Sequence, residues 1–388
     1  IYGAQVGGVW DALLGEGRNW WFFASSDWHN RGLFGPDDRR STQDFYPGEY
    51  QRNFTLVDGK IGPQSVVDGL RTGNNFAASG QLIDRLSFVA CASDRGNGSF
   101  KANAAVENIA LHAAKDNASI DVKNCATMGQ KLVVAPGADI VIAIAVRDPA
   151  GTNYSPYVFQ NPSLKQIGVN QPLNAPVLDH VDLIGGRVSG YKTPGAADYS
   201  GEWPRNLNWL RADGTTAGLD VVPAAAKNTS AAILRSFNGS SWTSVKSTEK
   251  QDGTTFLVMS YRIPAVAASQ YLRLRGSNLP AGVPYETDAS GNPLADLYTN
   301  ANDTTKLRIP CTTVGSNVPT NAELYTGTGI DGCPNHLAIA TSTTGTTDNP
   351  IAGQKAVSYD IAAWSDLWFY SNPIYVEVAG STQVAGVK

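Results

Sequence analysis

The sequence predicts an α+β fold, in which a short α/β part at the N-terminus is followed by a large antiparallel, β-sandwich-like domain. The first observation is that segments of helical and of strand character alternate up to about residue 80. The second is that short β-branched or aromatic runs, separated by Gly, Asn, Asp and Pro, fill most of the remainder. Alternating helix and strand indicate an α/β barrel or a doubly wound sheet. Short strands between turn residues are typical of an antiparallel sandwich.

The N-terminal part contains two predicted helices with one apolar strand between them. Residues 9–15, VWDALLG, and residues 63–73, PQSVVDGLRTG, have helical patterns that end at a glycine. The run WWFFA, residues 20–24, carries no charge, so we expect a strand that is buried on both faces, as in a parallel barrel. The polar residues SSDWH follow it, at the end of the strand where α/β folds bind their ligands.

The C-terminal part is predicted to be mainly antiparallel strands, with a short helix near residues 104–116. In YLRLRG the alternation places Arg273 and Arg275 on one face of a strand and the two leucines on the other. In DHVDLIGG the same argument places His180 and Asp182 together, and we expect them on a polar outer face.

Composition limits the classes of function. Hydrophobic residues make up 42 % of the 388 residues and charged residues only 16 %, and the net charge is −4. Nucleic-acid binding needs a basic surface, so it is not expected. No run of 18 apolar residues is present, so no transmembrane segment is expected. The abundance of Gly, Ser, Thr and Asn is typical of a secreted, periplasmic or cell-surface protein.

The four cysteines form two separated couples, Cys91 with Cys125 and Cys311 with Cys333. None lies in a C-x-x-C pattern, which argues against a zinc knuckle. Two disulfides of an exported protein are the preferred interpretation, and four buried thiols are the alternative. Four cysteines allow three connectivities, of which we expect the pairing of nearest neighbours.

Asp27 and His29 form a D-x-H pair at the end of the apolar run. Residues two apart in a strand point to the same side, so a carboxylate and an imidazole would be available together to a divalent cation. The alternative is an Asp–His hydrogen bond that closes the end of the strand.

Three segments in order, SSDWH (25–29), GLRTGNNF (69–76) and IDRLSFVA (83–90), resemble the closing part of the PHP family. These enzymes are metal-dependent phosphoesterases built on a distorted barrel, and the exported, carbaryl-hydrolase-like branch is the most similar. The resemblance implies that residues 1–90 are the terminal elements of a PHP-type barrel and that residues 91–388 are an appended β-rich domain.

The resemblance also implies a reaction and its metal site. Asp27 and His29 would be ligands of divalent Zn, Mn or Fe, which would support hydrolysis of a small-molecule phosphate ester or related ester. The early family motif, H-x-H followed by Ser-Asp, is absent from this sequence. We therefore expect an upstream polypeptide segment to complete both the barrel and the metal cluster.

Four further residues are candidates for binding the substrate. Arg31 and Arg71 are suited to an anionic substrate, because guanidinium binds phosphate oxygens in bidentate fashion. Arg71 lies near a helix end, where a cation also simply complements the helix dipole. Tyr46 and Glu49, in the loop after the D-x-H pair, are expected to form a wall of the pocket.

Two alternatives from other classes stay open. The acidic segment ETDASGNPLAD, with Asp288, Ser290, Asn292 and Asp296, is a calcium candidate outside the EF-hand class, although a solvated turn is the simpler interpretation. For the whole chain, the alternative to an enzyme is a non-catalytic secreted or cell-surface β-rich binding or assembly protein. The 9 Trp and 15 Tyr residues suit a large interface.

Overall fold

The computed structural model describes residues 3–26, 48–93, 102–149, 151–153, 176–191, 193, 227–246, 254–283, 287–293 and 366–382, and the backbone of 308–310, 338–339 and 356–358. Three helices lie within these ranges: α1 (Val9–Leu14), α2 (Pro63–Thr72) and α3 (Asn103–Asp116). The sequence predicted α2 and α3 to within one residue at each end, and it predicted the C-terminal end of α1 at Gly15. None of the described helices is long and apolar enough to cross a membrane.

The largest sheet, sheet A, contains eight strands and is antiparallel except for one pair. Its strands are β1 (Gln51–Thr55), β2 (Asn75–Ser79), β5 (Lys131–Val134), β7 (His180–Arg187), β8 (Ala232–Asn238), β11 (Gln270–Ser277), β15 (Trp368–Ser371) and β16 (Ile374–Val378). β11 is central, with β7 and then β8 on one side. On its other side lie β15, which leads to β2 and β1, and β16, which pairs with β5 in parallel.

Two smaller sheets complete the described strands. Sheet B has the order β4–β3–β6–β10–β9. Its strands are β3 (Arg85–Ser93), β4 (Cys125–Thr127), β6 (Ala138–Asp148), β9 (Thr243–Lys246) and β10 (Thr255–Val266). A three-stranded sheet joins β12 (Arg308–Pro310), β14 (Ala356–Ser358) and β13 (Ala338–Ile339). Beyond α3 the described elements are all strands, and most of them pair antiparallel, which confirms the predicted β-rich character of this part of the chain.

The main core lies between sheets A and B, and a further layer covers the outer face of each sheet. In β6, Ile140, Ile142 and Ile144 face the main core, while Ala143 and Ala145 face α3. Because both faces of β6 are covered, its sequence is a nearly continuous apolar run. Each isoleucine buried in this way contributes about 1.5–3 kcal/mol to folding.

The outer face of sheet A is covered by α1 and the segment that follows it. Trp10 and Leu14 of α1 pack with Tyr271 and Tyr375 of the sheet, and residues 20–22 pack against the same cluster. The order of layers is therefore N-terminal segment, sheet A, sheet B and α3. Because the N-terminal segment covers the outer face of sheet A, polar side chains on that face are buried beneath it.

The described residues form no closed barrel, and their strand pairing does not support the prediction that residues 1–90 are terminal elements of a PHP-type barrel. β1 and β2 form an antiparallel pair and join sheet A through β15, near the other end of the chain. β3 runs through residue 90 and pairs along its length with β6. Helix and strand do alternate here, but antiparallel pairing with distant strands replaces the parallel neighbours that a barrel requires.

The prediction that WWFFA is a strand buried on both faces is also wrong. Residues 19–26 belong to no assigned strand, and the side chain of Phe23 is 41 % exposed. The run is apolar because its rings pack along one side, against the outer face of sheet A and α1, while its other side meets solvent. An uninterrupted apolar run in this segment therefore does not indicate that both of its sides are buried.

Candidate functional site

The structure describes only part of the predicted site. Asp27, His29, Arg31 and Tyr46 lie outside the described residues, and so do Cys311 and Cys333. Arg71, Glu49, Cys91 and Cys125 lie within them. Cys91 and Cys125 are opposite each other on β3 and β4 and form the predicted disulfide.

The segment from Trp20 to Ser26, which we call the approach segment, leads directly into the D-x-H pair. Its start is fixed by two tryptophans. The indole Nε1 of Trp10 donates to the carbonyl of Trp20 at 2.9 Å, and the Nε1 of Trp21 donates to the carbonyl of Arg71 at 3.1 Å. The Trp21 ring also lies against Gly73, where a Cβ atom would be 2.5 Å from the ring. Gly73, with φ +74°, therefore both ends α2 and accommodates the approach segment.

Asparagine side chains hold the middle of the approach segment. The Phe22 amide donates to Asn372 Oδ1 at 2.6 Å, and the Asn372 amide group in turn donates to Asn75. The Ala24 amide donates to Asn53 Oδ1 at 2.9 Å, while Asn53 Nδ2 donates to the Ala24 carbonyl at 2.7 Å. Asn53 thus pairs with the peptide groups of Ala24 through two bonds, as a neighbouring backbone would. The chain is anchored to sheet A three residues before Asp27.

Arg71 and Glu49 lie near opposite ends of β1. Arg71 occupies the last turn of α2, which packs near Thr55, and its exposed guanidinium is 3.5 Å from Asp68. This position complements the dipole of α2, which is the simpler of the two roles predicted for Arg71. Glu49 precedes β1 and is fully buried. The roles at the substrate that were predicted for Arg71 and Glu49 stay predictions.

Two buried ion pairs lie on the outer face of sheet A, and one of them involves α1. Arg273 Nε and Nη2 each donate to Asp11 at 2.6 Å, and both side chains are 0 % exposed. Arg275 Nη2 donates to Asp182 at 2.7 Å, and its Nη1 donates to Asn292 at 2.8 Å. The predicted sharing of one face by Arg273 and Arg275 is confirmed. The arginines are buried here because an acid on a facing or neighbouring element neutralises each one.

The prediction that β7 has a polar face exposed to solvent is wrong. His180 and Asp182 do share one side of the strand, but both are buried. The physical reason is the layer formed by the N-terminal residues, including Ala4, whose carbonyl accepts a hydrogen bond from Arg275. A period-two pattern indicates which residues share a face, but it does not indicate whether distant chain covers that face.

His180 lies between two carboxylates. Its Nδ1 is 2.9 Å from Asp179 Oδ2, and its Nε2 is 3.6 Å from Asp182 Oδ2. Burial lowers the pKa of His180, but the hydrogen bonds and charges of Asp179 and Asp182 outweigh it and raise the pKa to about 9. Burial raises the pKa of Asp182, but His180 and Arg275 outweigh it and hold that pKa below its usual value.

We expect the stability of the protein to depend on the charge of His180. Its pKa rises from 6.5 to about 9 on folding, so protonated His180 stabilises the fold fully below pH 6.5, and the contribution is lost as pH rises through 9. At about 1.4 kcal/mol per pH unit, the upper limit is about 3 kcal/mol. Urea unfolding of the wild type and of His180→Gln at pH 6 and pH 9.5 tests this. The advantage of the wild type should shrink at the higher pH, and a constant difference would contradict the assignment.

No group of three or more His, Cys, Asp or Glu side chains in the described ranges is arranged to hold a metal ion. Asp179, His180 and Asp182 are adjacent in space, but they bind each other and Arg275. These side chains therefore form one network of ion pairs with Arg275.

The calcium candidate is a hydrogen-bonded turn over its described part. Asp288 Oδ1 accepts from the amides of Ser290 and Asn292, both at 2.8 Å, and Asp288 Oδ2 accepts from the Asn292 side chain at 2.9 Å. Asn292 Oδ1 accepts from the buried Arg275. Asp296 lies outside the described residues, and calcium binding stays a prediction. The turn links a surface loop to the buried ion pairs.

A cleft of about 540 Å³ opens between the β1–α2 loop and the C-terminal end of α3. Arg147 and Asp84 line it as an ion pair, with Arg147 Nε donating to Asp84 at 2.6 Å. Nearby, burial and the charge of Asp84 raise the pKa of Asp148 to about 6. Sequence reasoning did not identify this cleft, because its residues come from six separate stretches of the chain. Its apolar lining includes Phe54, Ile61, Phe76, Ile120 and Met128.

Sequence reasoning also missed the asparagines that hold the approach segment. Asn53 lies in a glycosylation sequon, Asn-Phe-Thr, and its Nδ2 is already bonded to Ala24. Asn372 and Pro373 form the short connection between β15 and β16, two strands that pair with successive parts of β11. The Asn-Pro dipeptide is a signal for such an interruption, since proline has no amide to donate. Nothing in the local sequence indicates which backbone these side chains bind.

Comparisons of this chain with family models, with curated proteins and with solved structures gave no match.

Proposed function

We propose that the chain belongs to an exported, PHP-like metallohydrolase that hydrolyses phosphate esters or related ester bonds. In this proposal Asp27 and His29 are ligands of a divalent Zn, Mn or Fe ion. An upstream polypeptide segment supplies the remaining metal ligands. The proposal rests on the ordered series SSDWH, GLRTGNNF and IDRLSFVA.

One structural observation supports a functional role for this region. The approach segment is held by side-chain amides of β1 and of the residue after β15, although it forms no strand of its own. Such anchoring costs conformational entropy. It is expected where the residues that follow must be presented in a fixed position, as ligands of a metal must be.

The donor set suits the proposed metals. A carboxylate oxygen and an imidazole nitrogen are ligands that Zn, Mn and Fe all accept. Two donors are too few to close a site, and the early H-x-H motif that would add further ligands is absent from this sequence. This is why the proposal includes ligands from an upstream segment.

The residues of this chain have separate roles in the proposed reaction. Asp27 and His29 hold and orient the ion, and Arg31 binds the anionic oxygens of the ester through its guanidinium. When bound, a divalent metal supplies Lewis-acid polarisation of the ester and activation of the attacking water. Arg71 is proposed as a second guanidinium for the anionic substrate, and its carbonyl also accepts the hydrogen bond from Trp21 that supports the approach segment.

The disulfide between Cys91 and Cys125 agrees with export, because disulfides persist in oxidising compartments. Secretion, a periplasmic location and the cell surface are all compatible with it.

We expect His29→Ala, in the full gene product, to lower hydrolysis of an aryl phosphate such as p-nitrophenyl phosphate by at least about 100-fold, the scale of losing a catalytic group. The matched control is His112→Ala, which removes an imidazole from the exposed side of α3. The control should retain wild-type activity. Equal activity of the two variants would contradict the proposal.

A non-catalytic binding or assembly protein is the second candidate. One observation favours it: Ile61, Val66 and Val67, around the start of α2, expose between 37 % and 77 % of their surfaces. Exposed apolar groups are common at protein interfaces. Wild-type activity and metal content in His29→Ala would leave this candidate as the better account.

A further inference from the structure

We propose that the cleft between the β1–α2 loop and the C-terminal end of α3 binds a small, neutral aromatic molecule that carries one hydrogen-bonding group. The side chain that bonds to this group is Ser87, which lines the cleft. The volume of about 540 Å³ lies within the range of ligand-binding sites, about 300–1,000 Å³. The site requires neither Asp27 nor His29, so it stands or falls independently of the proposed hydrolysis.

The cleft forms because one edge of sheet B is incomplete. β4 pairs with β3 only over Val89–Cys91. The first residues of β3 therefore have no neighbouring strand on that side within the described part of the chain. Phe76, Leu86 and Met128 belong both to the main core and to the lining of the cleft. The gap in the sheet thus gives a ligand access to the edge of the core.

The walls of the cleft are suited to an aromatic ring. Phe54 and Phe76 lie opposite each other on β1 and β2, and their rings stack with centroids 4.7 Å apart. Both rings line the cleft, as does Ile61 of the β1–α2 loop, which is 77 % exposed. A ligand ring that covers these side chains removes apolar surface from water, which favours binding.

Ser87 supplies the specific polar contact. It is only 5 % exposed, and its Oγ has no hydrogen-bond partner among the described residues. Ser87 lies on the same face of β3 as Val89, which packs in the layer formed by α3. Buried hydroxyls nearly always have a partner, because one that lacks it is costly to bury. A ligand group that bonds to Ser87 removes this cost.

The charged groups of the cleft already have partners, which favours a neutral ligand. Arg147 donates through Nε and Nη2 to the two carboxylate oxygens of Asp84. Arg85 Nη1 donates to the carbonyls of Ala114 and Lys115, near the C-terminal end of α3, at 3.3 and 2.6 Å. A charged ligand would lose its own hydration and compete with these bonds, whereas a neutral ligand leaves them in place.

The experiment uses 2-naphthol, which has two fused aromatic rings and one hydroxyl and is neutral at pH 7. The 388-residue chain has two methionines, of which Met128 lines the cleft and Met259 lies in the main core outside that lining. Carbon-13 labelling of the methionine methyl groups therefore gives one reporter in the site and one outside it. We expect 2-naphthol to shift the Met128 signal saturably and to leave Met259 nearly unchanged. No saturable shift at Met128, or equal shifts of both signals, would overturn the site.

We expect Ser87→Ala to weaken 2-naphthol binding by about 3- to 10-fold in calorimetry, the scale of one neutral hydrogen bond. The urea midpoint of this variant should not fall, because the hydroxyl has no partner in the described protein. A lower midpoint would show that the fold itself uses the hydroxyl, and wild-type affinity would show that the ligand does not bond to it. Either result overturns the role assigned to Ser87.

Two further measurements test the chemical class of the ligand. Ile61→Asp places a charge on the apolar wall and should weaken 2-naphthol binding by at least about 5-fold. The matched control is Val67→Asp, at a residue of α2 that is 41 % exposed and lies outside the lining, and it should bind as the wild type does. Naphthalene-2-sulfonate, which is anionic, should bind to the wild type more weakly than 2-naphthol. Equal affinity of the two Asp variants, or tighter binding of the sulfonate, would contradict a neutral aromatic ligand in this cleft.

Discussion

Asp11→Asn is expected to lower the free energy of unfolding by about 3–5 kcal/mol. Asp11 and Arg273 are both 0 % exposed, and two hydrogen bonds of 2.6 Å join them. Asparagine keeps the size of the side chain but removes its charge, which leaves the guanidinium buried without a counter-charge. Breaking one side of such a pair costs about this much because the remaining ion stays desolvated. Urea unfolding at neutral pH measures the loss.

Two controls separate burial from charge in this experiment. Asp68→Asn removes an acid that pairs with Arg71 at the exposed surface of α2, and it should change the unfolding free energy by less than about 1 kcal/mol. The double variant Asp11→Leu/Arg273→Met removes both buried charges and should be more stable than Asp11→Asn alone. A loss in Asp11→Asn no larger than that in Asp68→Asn would contradict the view that α1 is held on sheet A by this pair.

Removing the disulfide is expected to have the second-largest effect. The bridge joins Cys91 and Cys125, which are separated by 34 residues. A loop of this length predicts a loss of about 3–4 kcal/mol in the variant Cys91→Ala/Cys125→Ala, mainly because the unfolded chain gains freedom. Urea unfolding compared with the wild type tests this.

The matched test for the disulfide uses a reductant. If the bridge constrains the unfolded chain, a thiol reductant should destabilise the wild type by at least the loss in the double variant. Alkylation of denatured, unreduced protein should find no free thiol at Cys91 or Cys125. Labelling of both cysteines in the unreduced protein would contradict the assigned bond.

The sequence predicted the local elements of the fold well. The glycines that follow α1 and α2 ended the predicted helices at the correct positions. The alternation in YLRLRG correctly separated the arginines from the leucines of β11. Each of these signals depends on residues within one turn or one strand, so a single sequence contains all the information.

The sequence did not predict which faces of the strands are covered by distant parts of the chain. The strands β7, β15 and β16 pair with β11, and residues within the range 3–26 form the layer over it. Pairing over such distances depends on the whole chain, and a local pattern cannot specify it. The same limit explains why His180 and Asp182 were expected at the surface and why WWFFA was interpreted as a barrel strand.

For the candidate site, the sequence indicated the proposed metal ligands but not the residues that hold the approach segment. Asp27 and His29 are recognisable by residue type and spacing, whereas Asn53 and Asn372 act through bonds to backbone that is 29 and 350 residues away in the chain. Asparagine is frequent in this sequence and common in turns, so neither residue is distinctive by itself. Their role became visible only when the approach segment was placed on sheet A.

The most direct test of the account is the metal content of the full gene product, purified without chelators. Mass spectrometry of the elements should find Zn, Mn or Fe bound to the wild type and to His112→Ala, and at least most of that metal lost from His29→Ala. Circular dichroism should show the same fold in all three proteins. Wild-type metal content in His29→Ala, or no bound metal in the wild type after incubation with each of these ions, would contradict the proposed metallohydrolase.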